Sequence, residues 1–282
     1  MNVRSQTPRG FTLLELLLVI LITGILAAVV APLIHEPIRA YFDQTTRASL
    51  VDAADMSLRR MARDVRRALP FSIRINASRT AFEMVRVRDV GRYREDGNGN
   101  ERLDADANER RFELVGNFTS IPKPYTLGDN GLDERMVVLN LGIPTLDVYA
   151  GDSVITPPGT DVDITDNGGT DQVEFNPRHE FLPYNGLDSP QHRVYIVDMA
   201  ITYACSAGGL FRDENYGYLA AQPAPAIVAA NGVLITDQVT SCRFDYDPGS
   251  ANRPGLLIMT LTLTNDGESV TFLHQVHVPN TS

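Results

Sequence analysis

An apolar run near the N-terminus limits what this chain can fold into. Residues 11–34 form a stretch of 24 residues that contains a single charge, Glu15. As a helix rising about 1.5 Å per residue, the stretch is long enough to cross the hydrocarbon core of a bilayer, about 30 Å thick. Arg4 and Arg9 precede it without any acidic residue, so the positive-inside rule predicts a cytoplasmic N-terminus and an exported remainder.

Glu15 separates three interpretations of this run. A secretory signal has an apolar core of about 7–15 residues before its cleavage site, whereas this run is longer and has Pro32 directly after its best candidate site. A plain membrane anchor fits the length but gives the carboxylate no role. A charge inside a spanning helix costs roughly 2.5–3.5 kcal/mol, which the apolar residues can offset, and it is by default a functional group. The nearest candidate cation is the α-amine that cleavage between Gly10 and Phe11 would create.

The residues around this junction carry a family resemblance. Residues 9–15, Arg-Gly-Phe-Thr-Leu-Leu-Glu, followed by the apolar run, resemble the processing signal of type IV prepilins and type II secretion pseudopilins. The resemblance implies that a prepilin peptidase cleaves after Gly10 and methylates the amine of Phe11. It also implies that Glu15 pairs with that amine on a neighbouring subunit of a filament.

Two helix-weakening residues extend the resemblance. Gly24 and Pro32 lie where this family has a glycine and a proline in its first helix, and both residue types weaken an α-helix. The resemblance implies a locally melted stretch between them, suited to leaving a bilayer for a filament. For Gly24 the alternative is a small residue of the kind that any spanning helix tolerates.

The periodicity of the chain changes after the apolar run. Pro32 and Pro37 predict a bend, and apolar residues at spacings of three and four then predict an amphipathic helix that ends before Pro70. Short alternating runs follow, most clearly a hairpin of residues 257–263 and 270–278 around a turn at 265–267. The fold class is therefore α+β. The predicted organisation is a leader at 1–10, a transmembrane helix at 11–34, an amphipathic periplasmic helix at 35–69 and a β-rich antiparallel head at 70–282.

Two further parts of the sequence narrow the resemblance. One is the stretch of residues 50–64, which is rich in arginine and aspartate. The other is a set of short segments nearer the C-terminus, at 203–205, 222–225, 245–250 and 274–278. They resemble minor pilins that serve biogenesis of the mannose-sensitive haemagglutinin (MSHA) pilus, and the J-type minor pseudopilins of type II secretion are near relatives. The resemblance is weak across residues 90–190.

This resemblance implies a location and a set of partners. The protein would be a single-pass inner-membrane protein with a periplasmic head, and would later enter a pilus or pseudopilus. Its partners would be other major and minor pilins, the prepilin peptidase and the inner-membrane assembly platform. The role would be structural, in priming assembly or at a filament tip.

Cys205 and Cys242 are the two cysteines of the chain, and their spacing is poor for zinc. In an oxidising compartment a disulfide is the natural interpretation, and two buried free thiols are the alternative. Pilin heads commonly carry a disulfide-closed region near the C-terminus, so the resemblance implies a bridge between these residues.

One loop approximates the oxygen spacing of a calcium site. Asp96, Asn98, Asn100 and Asp104 supply the oxygens, but Glu101 stands where the sharp turn needs glycine, and the closing glutamate is missing. A calcium site and an exposed polar loop therefore both remain open, and no other cofactor is expected.

Charge and motif content bear on other functions. The net charge of −10 leaves no broad basic field for nucleic acid. The sequence contains no G-x-S-x-G motif, phosphate-binding loop or nucleophile spacing, so we do not expect an enzyme. Two alternatives to a minor pilin remain: a type II secretion pseudopilin, and a signal-anchored periplasmic binding protein or enzyme in which Glu15 and the junction are accidental.

Overall fold

The computed structural model describes residues 10–94, 103, 111–151, 153–179, 181, 189–214, 216–250 and 253–280, with the backbone alone described at 31–36. These residues contain two helices, α1 (Leu13–Val65) and α2 (Pro225–Asn231). Their thirteen strands are β1 (Arg74–Ile75), β2 (Ala81–Arg92), β3 (Arg111–Glu113), β4 (Tyr125–Thr126), β5 (Arg135–Val138), β6 (Asp161–Asp166), β7 (Asp171–Asn176), β8 (Arg193–Ser206), β9 (Gly209–Asp213), β10 (Val233–Thr236), β11 (Val239–Asp247), β12 (Gly255–Asn265) and β13 (Glu268–Val278). The chain divides into two compact units between Ser49 and Leu50.

Helix α1 is continuous where the sequence predicted two helices. The helix passes through Pro32 and Pro37 without interruption. Each proline removes one backbone N–H and crowds the carbonyl four residues before it, which weakens a helix, yet the helix continues on both sides of each proline. The predicted bend therefore does not divide α1 into separate elements.

The C-terminal end of α1 lies at Val65, four residues before the predicted end. The next residues bond to strand β2 instead of continuing the helix: the Val87 amide donates to the Arg67 carbonyl at 2.8 Å, and the Leu69 amide donates to the Val85 carbonyl at 2.8 Å. Because these backbone groups bond to the sheet, the helix ends at Val65. The apolar pattern of the sequence nevertheless continues to Leu69.

The described strands form three antiparallel sheets within the second unit. The longest sheet has six strands, in the order β1-β2-β8-β9-β10 with β5 also paired to β8. Another sheet has the order β11-β12-β13, and the third has the order β3-β7-β6-β4. The predicted C-terminal hairpin is confirmed, with Asn265 opposite Glu268. Its two central residues, Asp266 and Gly267, both have positive φ, as a two-residue type I′ turn requires.

Two large apolar clusters hold these sheets together. The first packs the C-terminal part of α1, through residues such as Leu58 and Met61, against β2, β8 and the β11-β12-β13 sheet. The second fills the space between the longest sheet and the β3-β7-β6-β4 sheet, around Phe112 and Tyr195. The structure is thus an apolar N-terminal helix followed by a β-rich antiparallel head, an α+β fold of the pilin-like kind.

Candidate functional site

The peptide bond between Gly10 and Phe11 lies just in front of α1. Both residues are exposed and neither belongs to the helix, which begins at Leu13. The side chain of Phe11 is 78% exposed. A protease can bind such a segment in an extended conformation without first unwinding a helix.

Thr12 and Glu15 form a capping box at the start of α1. The Glu15 amide donates to Thr12 Oγ1 at 3.3 Å, and the Thr12 amide donates to Glu15 Oε2 at 3.4 Å. These reciprocal bonds satisfy two of the backbone donors that a helix N-terminus leaves without partners. Thr12 is absent from the sequence-based site, although a threonine three residues before a glutamate and ahead of an apolar run is the recognised signal for this cap.

The carboxylate of Glu15 is solvent-exposed in the isolated chain. Among the described residues, no Arg, Lys or His forms an ion pair with it, and its bonds to Thr12 are long. The capping box therefore orients Glu15 at the helix start without neutralising its charge, so the carboxylate is still available to a cation from outside the chain.

The helix beyond this cap presents apolar side chains to its surroundings. Leu13–Val30 is an 18-residue stretch with mean hydropathy 2.9, and none of it is buried by the rest of the chain. Gly24 lies in this stretch, where an added Cβ would meet no atom within 4 Å. Packing within the chain therefore does not explain the glycine. Pro32 lies in the backbone of α1, and its side chain is outside the described part.

The two cysteines lie on different sheets of the head. A disulfide joins Cys205 of β8 to Cys242 of β11, with Cα atoms 6.4 Å apart. It links the longest sheet to the β11-β12-β13 sheet, next to the cluster that packs against α1. The residues of the predicted calcium loop, Asp96, Asn98, Asn100 and Asp104, lie outside the described residues. The part of the chain that is described contains no group of three or more potential metal ligands.

A polar cluster fixes the C-terminal part of α1 to the head. Asp64 of α1 accepts hydrogen bonds from the Tyr203 hydroxyl at 2.8 Å and from Arg212 Nε at 2.9 Å, and Arg212 also pairs with Glu214. Burial raises the pKa of Tyr203, and the adjacent Asp64 raises it further, so the hydroxyl remains protonated and can donate. This cluster was not predicted from the sequence.

Comparison with known proteins identifies the N-terminal segment. Residues 7–31 match the family described as "Prokaryotic N-terminal methylation motif", which is a type IV pilin-like signal. The match includes Gly10, Phe11, Glu15 and Gly24. No curated protein and no solved structure matched the chain. The chain thus carries a type IV pilin-like N-terminal motif on a helix suited to a single-pass membrane anchor.

Proposed function

We propose that this protein is a structural subunit of a type IV pilus or related pseudopilus, processed between Gly10 and Phe11 and methylated on Phe11. The single observation that carries the proposal is the methylation motif at residues 7–31, placed on the exposed apolar stretch Leu13–Val30, which contains one carboxylate. The exposed junction ahead of α1 supports the cleavage step. No catalytic role is assigned to the chain.

The proposed mechanism follows from charge neutralisation. Before processing, the apolar helix holds the precursor in the inner membrane with the head in the periplasm. Cleavage creates a cationic amine at Phe11, close to the position of Glu15. An unpaired charge in an apolar filament interior is costly, so pairing Glu15 with the amine of a neighbouring subunit favours lateral insertion of the helix. The capping box would hold the carboxylate at the helix start until that amine arrives.

The finer proposal is a minor pilin of MSHA type, similar to the biogenesis protein MshO. It is supported by the resemblance of residues 50–64 and of the short segments nearer the C-terminus. Its partners would be other pilins, the prepilin peptidase and the inner-membrane assembly platform, and its role would be priming or tip formation. A type II secretion pseudopilin is the second candidate, because the same arrangement of an Arg- and Asp-rich helix before a β-rich head suits that family.

Substitutions at Glu15 and Thr12 test whether the charge or the helix cap matters. Glu15→Gln keeps an acceptor for the capping box, which glutamine can complete, but removes the negative charge. We expect Glu15→Gln and Glu15→Ala to lower incorporation into sheared filaments by a similar large factor. Thr12→Ala disrupts the cap, retains the charge and should be affected much less. The measurement is the ratio of subunit in filaments to subunit in membranes.

Membrane abundance provides the control for these variants. All three should reach wild-type levels in the inner membrane, because the apolar residues of α1 are unchanged. Normal incorporation of Glu15→Gln together with failure of Glu15→Ala would show that the helix cap is needed and that charge pairing is not. That outcome would contradict the proposed mechanism.

A further inference from the structure

A cleft of about 540 Å³ opens in the head beside the C-terminal end of α1. Its walls come from the residues that follow α1, the end of β2, the residues after β3 and the start of β8. The volume lies within the range of about 300–1,000 Å³ that is typical of ligand-binding clefts. The cleft lies wholly in the second compact unit and is separate from the N-terminal motif.

Four arginines line this cleft: Arg66, Arg67, Arg92 and Arg193. None of its described lining residues is acidic, although the whole chain has a net charge of −10. Arg66, Arg67 and Arg92 form no ion pair with any residue in the described ranges. The cleft is therefore a concentrated positive site on an acidic protein.

The backbone register and one hydrogen bond place three of these arginines at the cleft. Arg92 of β2 lies directly opposite Arg193 of β8 in the antiparallel register, so both residues reach the cleft from neighbouring strands. Arg67 Nη2 donates a hydrogen bond to the Val87 carbonyl at 3.2 Å. This bond holds the Arg67 guanidinium group at the cleft.

Apolar side chains lie between the arginines. Val90 and Val115 line the cleft and are 47% and 61% exposed. Leu114 forms part of the floor, and Gly91 packs so closely that an added Cβ would lie 2.9 Å from a Leu114 methyl group. The cleft therefore offers an apolar contact flanked by guanidinium groups.

We propose that this cleft binds an acidic peptide segment of a partner protein. Carboxylates of the segment pair with the cleft arginines, and an aliphatic side chain packs on Val90 and Val115. The planar guanidinium group matches a carboxylate through two parallel hydrogen bonds. This proposal goes beyond filament membership and does not depend on processing at Gly10.

A peptide fits the observations better than a lipid surface. Basic clusters that recognise lipid headgroups typically lie immediately beside the membrane-spanning segment in sequence. Here Arg66, the cleft arginine nearest to the span in sequence, follows Val30 by 36 residues. Acidic side chains on both sides of an aliphatic one would also satisfy both the charged and the apolar parts of the cleft.

The test uses the full-length protein in detergent and two labelled peptides. One is acetyl-Asp-Glu-Leu-Glu-Asp-amide, and its neutral counterpart has Asn and Gln in place of Asp and Glu. Fluorescence anisotropy should show binding of the acidic peptide that weakens steeply with added salt. The Arg66→Gln/Arg92→Gln variant should bind at least about tenfold more weakly, as expected from the loss of charge-assisted bonds.

The matched control is Arg59→Gln/Arg63→Gln, which removes the same charge from exposed positions on α1 outside the cleft. It should change the affinity less than about twofold, because neither side chain lines the cleft and salt screens a charge that does not contact the peptide. Val115→Ser tests the apolar contact at a position that is 61% exposed, and it should weaken binding without changing the salt dependence.

Several outcomes would overturn the proposal. They are equal loss of binding in the cleft variant and the control variant, equal binding of the neutral peptide, and no binding of the acidic peptide. Short-chain phosphatidylglycerol and inorganic phosphate are tested in the same assay. Saturable binding of either one without binding of the acidic peptide would assign the cleft to phosphate groups and contradict a peptide site.

Discussion

The apolar stretch Leu13–Val30 and the second compact unit, residues 50–282, which includes the head, differ in where their apolar and charged side chains find partners. In the apolar stretch every large hydrophobic side chain is exposed, and the one carboxylate has no cation partner among the described residues. In the head, the two most deeply buried carboxylates have cation partners: Glu83 lies 2.6 Å from Arg74, and Asp171 lies 2.8 Å from Lys123.

This difference indicates where each region finds its stability. The head buries most of its large apolar residues and bonds buried carboxylates to groups of its own chain. The apolar helix leaves both its hydrophobic surface and its charge to be satisfied by lipid or by other helices. Substitutions of buried residues in the head should therefore change folding, whereas substitutions in the apolar helix should change membrane insertion and assembly.

Removing the disulfide should have the largest effect on the head. Cys205→Ser/Cys242→Ser opens a loop with a sequence separation of 37 residues, and the chain-entropy relation predicts a loss of about 4 kcal/mol. Near-ultraviolet circular dichroism of the full-length protein in detergent would report unfolding, since the chain has ten tyrosines and no tryptophan. An unchanged unfolding free energy would show that the bridge does not constrain the head.

The same substitution in the two regions tests the comparison directly. Leu58→Ala removes a side chain that is 3% exposed in the cluster joining α1 to the sheets, and it should lower the free energy of unfolding by about 3 kcal/mol. Leu18→Ala alters a side chain that is 50% exposed and should leave head unfolding unchanged. Equal effects of the two substitutions would contradict the division of roles.

Asp64→Ala should destabilise the head by about 2 kcal/mol. The substitution leaves Arg212 and the Tyr203 hydroxyl with one fewer partner in a largely buried place, and removing one member of such a cluster is costly. Asp55→Ala is the control, because Asp55 pairs with Arg59 on an exposed face and should change the unfolding free energy by less than about 0.5 kcal/mol. Chemical denaturation of both variants would measure the difference.

Elements with a local cause were predictable from the sequence. The 18-residue apolar stretch and the hairpin around Asp266 and Gly267 follow from hydropathy, alternation and turn chemistry. The cap formed by Thr12 and Glu15 could also have been found, since its signal spans only four residues.

Features that depend on distant parts of the chain were not predictable. The end of α1 at Val65 depends on backbone bonds to β2, so the amphipathic pattern alone predicted a longer helix. Asp64 and Arg212 lie 148 residues apart, and the cleft arginines come from three separate segments. Such contacts follow from sheet topology, which a single sequence does not provide.

Mass analysis of the mature N-terminus tests the central claim most directly. The protein is purified from membranes of cells with and without prepilin peptidase, and its N-terminal peptide is sequenced by mass spectrometry. The account predicts a methylated N-terminus at Phe11 when the peptidase is present and an uncleaved Gly10–Phe11 bond when it is absent. The same N-terminus in both samples, or a first residue other than Phe11, would contradict it.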